Sequence, residues 1–227
     1  MPNRPAAVAF DVNETLFSLL RMGERLVDAG LPDGALETWF TRVLRDGVAL
    51  AATGDYHPFR DLAGAHLSLM LAAEGLDADA HHVDAILSHF TELDAQPDAE
   101  PALLRLREAG IPVVTLTNGH ADTVQAMLEH ALLDGLVEAR LSVDDVRLWK
   151  PRAEPYHMAA RHLGVAPERL ALVSVHSWDI HGANRAGLVS GYASRMEGSF
   201  VAGFEEPHVR GADLVEVAGG LLALPPA

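Results

Sequence analysis

From Pro97 onward the chain alternates short apolar runs with amphipathic stretches, which restricts it to parallel strands joined by helical crossovers. Ala102 to Ala109 reads as a helix ending at Gly110, and Ile111 to Leu116 as a strand. Ala121 to Leu132 is a helix and Ala139 to Val143 a short strand. Glu154 to Leu163 is a helix, Leu170 to Val175 a strand, Trp178 to Ala186 a helix and Leu188 to Ala193 a further strand. Ahead of this region, Ala6 to Phe10 has the length and apolarity of a buried strand.

Between the first strand and the alternating region, residues 18–92 carry only helical spacing. The stripes are Leu19, Leu20, Met22 and Leu26; Trp39, Phe40, Val43 and Leu44; Leu62, Leu67, Leu69 and Met70; and Val83, Ile86, Leu87 and Phe90. Gly30-Leu31-Pro32 and Gly54 to Pro58 are the breaks. The expected architecture is a doubly wound, Rossmann-like α/β core of residues 1–17 and 93–227, with a four-helix cap, residues 18–92, inserted after the first strand. Leu224 to Ala227 reads as a frayed tail. Ligands of such sheets bind at the carboxyl ends of the strands. The polar loops there hold Asp11, Thr117-Asn118, Lys150 and Ser174 to Asp179.

A formal net charge of −15 argues against nucleic acid or an anionic membrane as partner, because both require a basic face. It leaves a small anionic substrate open, since salt screens a distant surface field over about 10 Å. With no cysteine, disulfides and thiolate chemistry are excluded. No run reaches the length of a membrane span and no signal pattern precedes Ala6, so a cytoplasmic protein is expected. Of the 17 basic residues only Lys150 is lysine. That fits a place for a compact ammonium where a guanidinium would not enter, and equally fits chance in a biased coding sequence.

Asp11, directly after an apolar strand, is a poor structural choice unless it is used, although a lone carboxylate there serves as well as a helix cap. Its company points to chemistry. A hydroxyl and amide loop, a cation and a second carboxylate, Asp179, are the parts of a covalent route through an aspartyl intermediate.

Asp11 to Leu16, Thr117-Asn118, Lys150-Pro151 and Ser174 to Asp179 resemble the four ordered motifs of the haloacid dehalogenase superfamily, over essentially the whole chain. Leu116 to Gly119, Leu141 to Asp144, Tyr156 after Lys150-Pro151, and Val173 to Asp179 with Gly182-Ala183 are closest to its (S)-2-haloacid dehalogenases. Superfamily phosphatases carry a second Asp two residues after the nucleophile, to protonate a leaving alkoxide; here that position is Asn13. They also hold magnesium with two acidic positions in the last motif, and here the first of these is Val175, leaving Asp179. No metal and no cofactor is therefore expected, and Lys150 becomes the counter-charge of Asp11.

The resemblance implies that Asp11 attacks C2 of a short (S)-2-haloalkanoic acid, giving an ester and free halide. Water then hydrolyses the ester to an (R)-2-hydroxy acid. It implies that Thr15, Thr117 and Asn118 bind the substrate carboxylate or orient Asp11, beside Val12 and Asn13. It implies that Lys150, Ser174, His176 and Asp179 position Asp11 and the water, with Tyr156 supporting Lys150 through a hydrogen bond. Phe40, Leu44, Phe59 and Trp178 are the expected pocket wall, with Trp39 a further aromatic candidate. A homodimer is the family expectation. The alternatives are a magnesium-dependent phosphatase-like hydrolase of another small anion, and a weakly catalytic binding protein of the same fold.

Three positions depart from that pattern. The dehalogenases have an arginine after the cap Trp, whereas Trp39 is followed by Phe40, with Arg42 and Arg45 a turn away. His176 stands where they usually have Asn, either activating water or simply hydrogen-bonding in place. Glu14 replaces their Gly, either adding negative charge beside the nucleophile or, as expected here, pointing outward into solvent. Of the other histidines, His81, His82, His120 and His130 are expected in solvent, and His66 and His162 as core neighbours.

Overall fold

The computed structural model describes residues 2–226 and is built on a six-stranded sheet of order β3-β2-β1-β4-β5-β6, every neighbouring pair parallel. The strands are β1 (Ala7–Phe10), β2 (Val113–Thr117), β3 (Ala139–Ser142), β4 (Leu170–Ser174), β5 (Val189–Ala193) and β6 (Val209–Gly211). Strands β1, β2, β4 and β5 are buried along their whole length, as the unbroken apolar runs require when helices cover both faces. The order reverses between β1 and β4. That crevice is the ligand site of doubly wound sheets, and Asp11 lies in it, its N–H donating to the Val173 carbonyl at 3.0 Å.

The insertion after β1 consists of α1 (Leu20–Asp28), α2 (Ala35–Thr53), α3 (Phe59–Ala73) and α4 (Ala80–Ser88), followed by a turn of 3-10 helix, His89–Glu92. Their buried stripes meet in an aromatic cluster. Trp39 lies against Phe40 and Phe90, and Phe59 meets Phe90 edge-on, with ring centroids 5.6–6.5 Å apart. Each such pair contributes about 0.5–1.5 kcal/mol beyond area burial. Leu20 and Leu69, expected within the stripes, are instead 74% and 64% exposed. They sit one position off the helical period set by Met22 and Leu26 and by Leu67 and Met70.

The crossovers are α5 (Ala99–Glu108), α6 (Ala121–His130), α7 (Ala153–His162) and α8 (Ser177–Arg185). Strand β6 and helix α9 (Leu214–Ala223) extend the core beyond the sequence reading. The chain end is tied down as far as Pro225, whose carbonyl accepts from the Arg4 N–H at 2.7 Å, while Ala227 lies outside the described residues. His162 is exposed rather than a core neighbour, because α7 turns Ala159 and Ala160 inward. His66 is buried and 2.8 Å from Asp46.

Helices of the insertion touch the core close to Lys150. Gly47 of α2 lies so near Trp149 that a Cβ there would come within 2.3 Å of the indole ring. The Trp149 Nε1–H donates to the His57 carbonyl at 2.9 Å, and its ring stacks on Phe59. Tyr56 hydroxyl bonds Asp144, and Arg147 lies over the Tyr56 ring.

Candidate active site

Lys150 is fully buried, and its ammonium has a partner for each of its three protons. It donates to Asp11 Oδ1 at 2.8 Å, Asp179 Oδ2 at 2.8 Å and the Leu116 carbonyl at 3.0 Å. Strand β2 supplies the carbonyl, β1 leads into Asp11, and the turn after β4 starts the helix carrying Asp179, so the three acceptors converge at the sheet's carboxyl edge. The Lys150 backbone N–H donates to Asn118 Oδ1 at 2.9 Å, fixing the loop that delivers the side chain. Removing an ammonium from water is costly, and two carboxylates with a carbonyl repay it.

The second oxygen of Asp11 accepts from Thr15 Oγ1 at 2.7 Å, and that hydroxyl accepts from the Val175 N–H at 3.2 Å. Burial opposes ionisation of Asp11. The Lys150 ammonium, then His176, then the hydrogen bonds from Lys150 and Thr15, outweigh burial and hold its carboxyl below the usual range. Asp179 goes the other way: burial, with Asp11 close by, raises its carboxyl despite Lys150. Burial also works against the Lys150 ammonium, but Asp11 and Asp179 leave it held above the ordinary lysine range. The site thus keeps one carboxylate anionic, only 6% exposed and poised as a nucleophile.

Tyr156 does not bond to Lys150 as expected. Its hydroxyl donates to Asp179 Oδ1 at 2.6 Å, and it is sealed from any cleft. Both Asp179 oxygens are therefore taken. Ser174 is buried, and its Oγ accepts from the His176 backbone N–H at 3.1 Å. Thr117 Oγ1 accepts from the Gly119 N–H at 2.9 Å. Val12 is buried in the apolar core, and its carbonyl serves the Leu16 and Phe17 N–H groups, so no part of its side chain reaches the cleft.

A cleft of ≈ 340 Å³ opens between the helical insertion and the core. It reaches Asn13 and Thr117 beside the nucleophile and runs between Phe59, Leu87 and Phe90 on one side and Val124 and Met127 on the other. Phe59 lines it, as expected. Phe40 and Leu44 do not: Phe40 is packed between Trp39 and Phe59, and Leu44 is half-buried against the core. Trp39 is wholly buried, its Nε1–H on the Ala63 carbonyl. Neither nearby arginine fills the place of the missing one. Arg45 pairs with Asp46 on the exposed face, and Arg42 is exposed beside Leu31 and Glu74.

Glu14 points inward, contrary to expectation. Its backbone is left-handed (φ 64°), which turns the carboxylate to within 3.6 Å of His176 Nε2. The His176 ring stacks on Trp178, and its Nε2 lies 3.7 Å from Asp11 Oδ2 and 3.3 Å from the Asn13 carbonyl. Sequence reasoning missed Arg195 altogether. Its guanidinium bonds the carbonyls of Glu14 and Thr15 and pairs with Asp98, pinning the nucleophile loop. Nothing in the sequence sets it apart from fifteen other arginines.

The donor set does not fit magnesium. The last-motif positions are Val175 and Asp179, and Asp179 is saturated by Lys150 and Tyr156. Among the described residues no group of three His, Cys, Asp or Glu side chains is arranged to hold a metal ion. Among them, too, no helix is long and apolar enough to cross a membrane.

An aspartate at the switch point of a doubly wound sheet, countered by a buried lysine and overhung by helices inserted after the first strand, defines a class of hydrolases. The chain belongs to it: residues 5–187 match the family model of haloacid dehalogenase-like hydrolases. It is 32% identical over 184 residues to the (S)-2-haloacid dehalogenase 4A of Burkholderia cepacia, covering 80% of each chain. A crystal structure of an L-2-haloacid dehalogenase, 28% identical, superposes with a TM-score of 0.89 and covers 98% of this chain and 100% of that one. The chain is also 30% identical over 203 residues to a glyceraldehyde 3-phosphate phosphatase of Methanopyrus kandleri, covering 81% of this chain and 82% of that one.

Proposed function

We propose that this hydrolase removes halide from short (S)-2-haloalkanoic acids, giving (R)-2-hydroxyalkanoic acids through an ester on Asp11. The observation that carries the reading is the Lys150 ammonium, 2.8 Å from both Asp11 and Asp179, which together with Thr15 and Tyr156 takes up the carboxylate oxygens that a metal would need. Halide leaves without a proton, so Asn13 in place of an acid costs this reaction nothing. Displacement from the face opposite the halogen inverts the carbon. Thr15, Lys150, Ser174, His176 and Asp179 are the proposed catalytic group around Asp11, with Asn13, Thr117, Asn118, Phe59 and Trp178 nearest the substrate. Residues 18–92 act as cap over a core of 1–17 and 93–227, the substrate is the small-molecule partner, and two copies form a dimer in the cytoplasm.

The test is chloride release from (S)-2-chloropropionate with and without chelator, followed by a single turnover in ¹⁸O-water. Label in Asp11 and not in the first product molecule is the expected result. Label in that product sinks the ester. Magnesium-dependent cleavage of an aryl phosphate with no halide release would favour the phosphatase reading, and no change on Asp11→Asn across a substrate panel would favour a binding protein.

A further inference from the structure

The loop that follows Asp11 has to be held from outside. Its residue 14 is left-handed, a conformation that persists in a residue other than glycine only where the surroundings fix it. Thr15, next along, gives its hydroxyl to Asp11 Oδ2 at 2.7 Å, so the aim of the nucleophile follows from where this loop sits. Arg195 supplies most of the hold. Its Nη2 donates to the Glu14 carbonyl at 2.9 Å and to the Thr15 carbonyl, and its Nη1 pairs with Asp98 Oδ2 at 2.9 Å. Gln96 Nε2 adds a bond to the Glu14 carbonyl at 3.2 Å.

Both ends of that bridge are anchored. Asp98 stands at the start of α5, and the same oxygen accepts from the N–H of Leu214, the first residue of α9, at 2.8 Å. Arg195 belongs to residues 194–208, which run from β5 to β6. Two residues on, the Glu197 carboxylate accepts from the Ser177 N–H at 3.2 Å and from the Tyr192 hydroxyl at 3.0 Å. Ser177 begins α8, two residues before Asp179. One segment therefore grips the loop behind Asp11 and the helix that bears Asp179, the two carboxylates that Lys150 joins.

We propose that Arg195 is a positioning residue for the nucleophile, acting through Thr15, an inference that rests on the dehalogenase reading above. Thr15 is fixed at three points: its carbonyl by Arg195, and its hydroxyl by the Val175 N–H on one side and Asp11 Oδ2 on the other. Lys150 fixes the other Asp11 oxygen. Holding the Thr15 carbonyl therefore sets the direction in which the carboxylate faces the substrate carbon. Displacement opposite the halogen is sensitive to that direction, and a misplacement of about 1 Å costs about 10²-fold in rate. A planar guanidinium spans two carbonyls and a carboxylate at once, which a compact ammonium does not. Among the described residues Arg195 does not line the cleft, and its guanidinium bonds these three groups alone, so it acts on the chemistry without touching substrate.

The experiment measures single-turnover chloride release from (S)-2-chloropropionate over a range of substrate concentrations, well below the melting temperature of each variant. In Arg195→Met the saturating rate of ester formation falls by about 10²-fold, while half-saturation stays within about twofold of wild type. Arg195→Lys keeps the charge opposite Asp98 and recovers part of the rate. Thr15→Val alone is slow, and adding Arg195→Met slows it by less than about twofold more, because the two residues act in series. A wild-type rate of ester formation in Arg195→Met, with melting alone lowered, makes the residue structural and overturns the assignment. A rise in half-saturation at an unchanged rate, or full additivity with Thr15→Val, overturns it as well. Should Arg195→Met fail to fold, Asp98→Asn takes its place: the guanidinium stays but loses its charged anchor, and the same slower ester formation at unchanged half-saturation is expected, a wild-type rate counting against the proposal. If the wild-type enzyme releases no halide and gains no alkyl mass on Asp11, the dehalogenase reading itself fails and takes this inference with it.

Discussion

Lys150 and Asp179 form a wholly buried ion pair at 2.8 Å that is closed on its far side by Tyr156 and on its near side by Asp11. Tyr156, Asp179 and Lys150 have no access to solvent, so each relies on its neighbour as a polar partner.

Replacing the cation exposes that dependence. Lys150→Met leaves two carboxylates facing one another in the interior, and breaking a buried pair in this way costs about 3–5 kcal/mol. Urea denaturation should show a loss of that order, with Asp11 alkylation abolished. Lys150→Arg should fare no better for activity, because a planar guanidinium does not reproduce three converging contacts at 2.8–3.0 Å. Wild-type turnover in Lys150→Arg would show that the compact ammonium is not required.

Tyr156→Phe removes the one side-chain donor to Asp179 besides Lys150 among the described residues. A hydrogen bond to a charged group is worth about 1.5–3 kcal/mol, and the stability loss should fall in that range. The Lys150 contact to Asp11 survives, so chloride release should fall much less than in Lys150→Met. A stability change near zero would mean the hydroxyl bond contributes nothing.

The pH dependence has opposite signs in different parts of the site. Asp11 is held below its ordinary 3.8, so its pairing stabilises the fold above that pH and is lost as the pH falls through the lower folded value. Lys150 is held above 10.5, so its contribution is whole below that pH and lost only as the pH rises beyond it. Glu14 is raised from 4.5, so its contribution is whole below 4.5 and declines as the pH rises. Glu14→Gln should therefore be more stable than wild type above that range and lose the advantage below it. Urea titrations on either side of it check the sign, and a constant difference would contradict it.

The cleft walls set the preferred chain length. Phe59, Leu87, Phe90, Val124 and Met127 extend past the nucleophile into a space of ≈ 340 Å³. Each methylene buried there is worth about 0.8 kcal/mol, or about fourfold in binding. KM should fall by about that factor per added CH₂ along a series of (S)-2-chloroalkanoic acids until the cleft is full. A KM that rises from the first methylene would place the substrate chain elsewhere.

The strands, the crossovers and the inserted helices were legible because each is a long apolar period of one kind. Strand β6 and helix α9 were not. The strand has three residues, and the helix carries Gly219-Gly220, which reads as a break. The glycine is there for packing: a Cβ on Gly220 would meet Val209 of β6 at 2.4 Å. In the site, Asp11, Lys150 and Asp179 stand out by type and position, and the fold brings them together. The cleft walls did not stand out, since Leu87, Phe90 and Met127 follow the same helical stripe as any core residue. The inward turn of Glu14 depends on one left-handed backbone angle, which side-chain chemistry alone does not announce.

Gly47 has a consequence that reaches beyond packing. It brings the backbone of α2 against the indole of Trp149, the residue that immediately precedes Lys150. A helix seated in that way cannot shift without pushing on the peptide that carries the ammonium. A side chain at 47 would therefore load the very loop that sets the ammonium against Asp11.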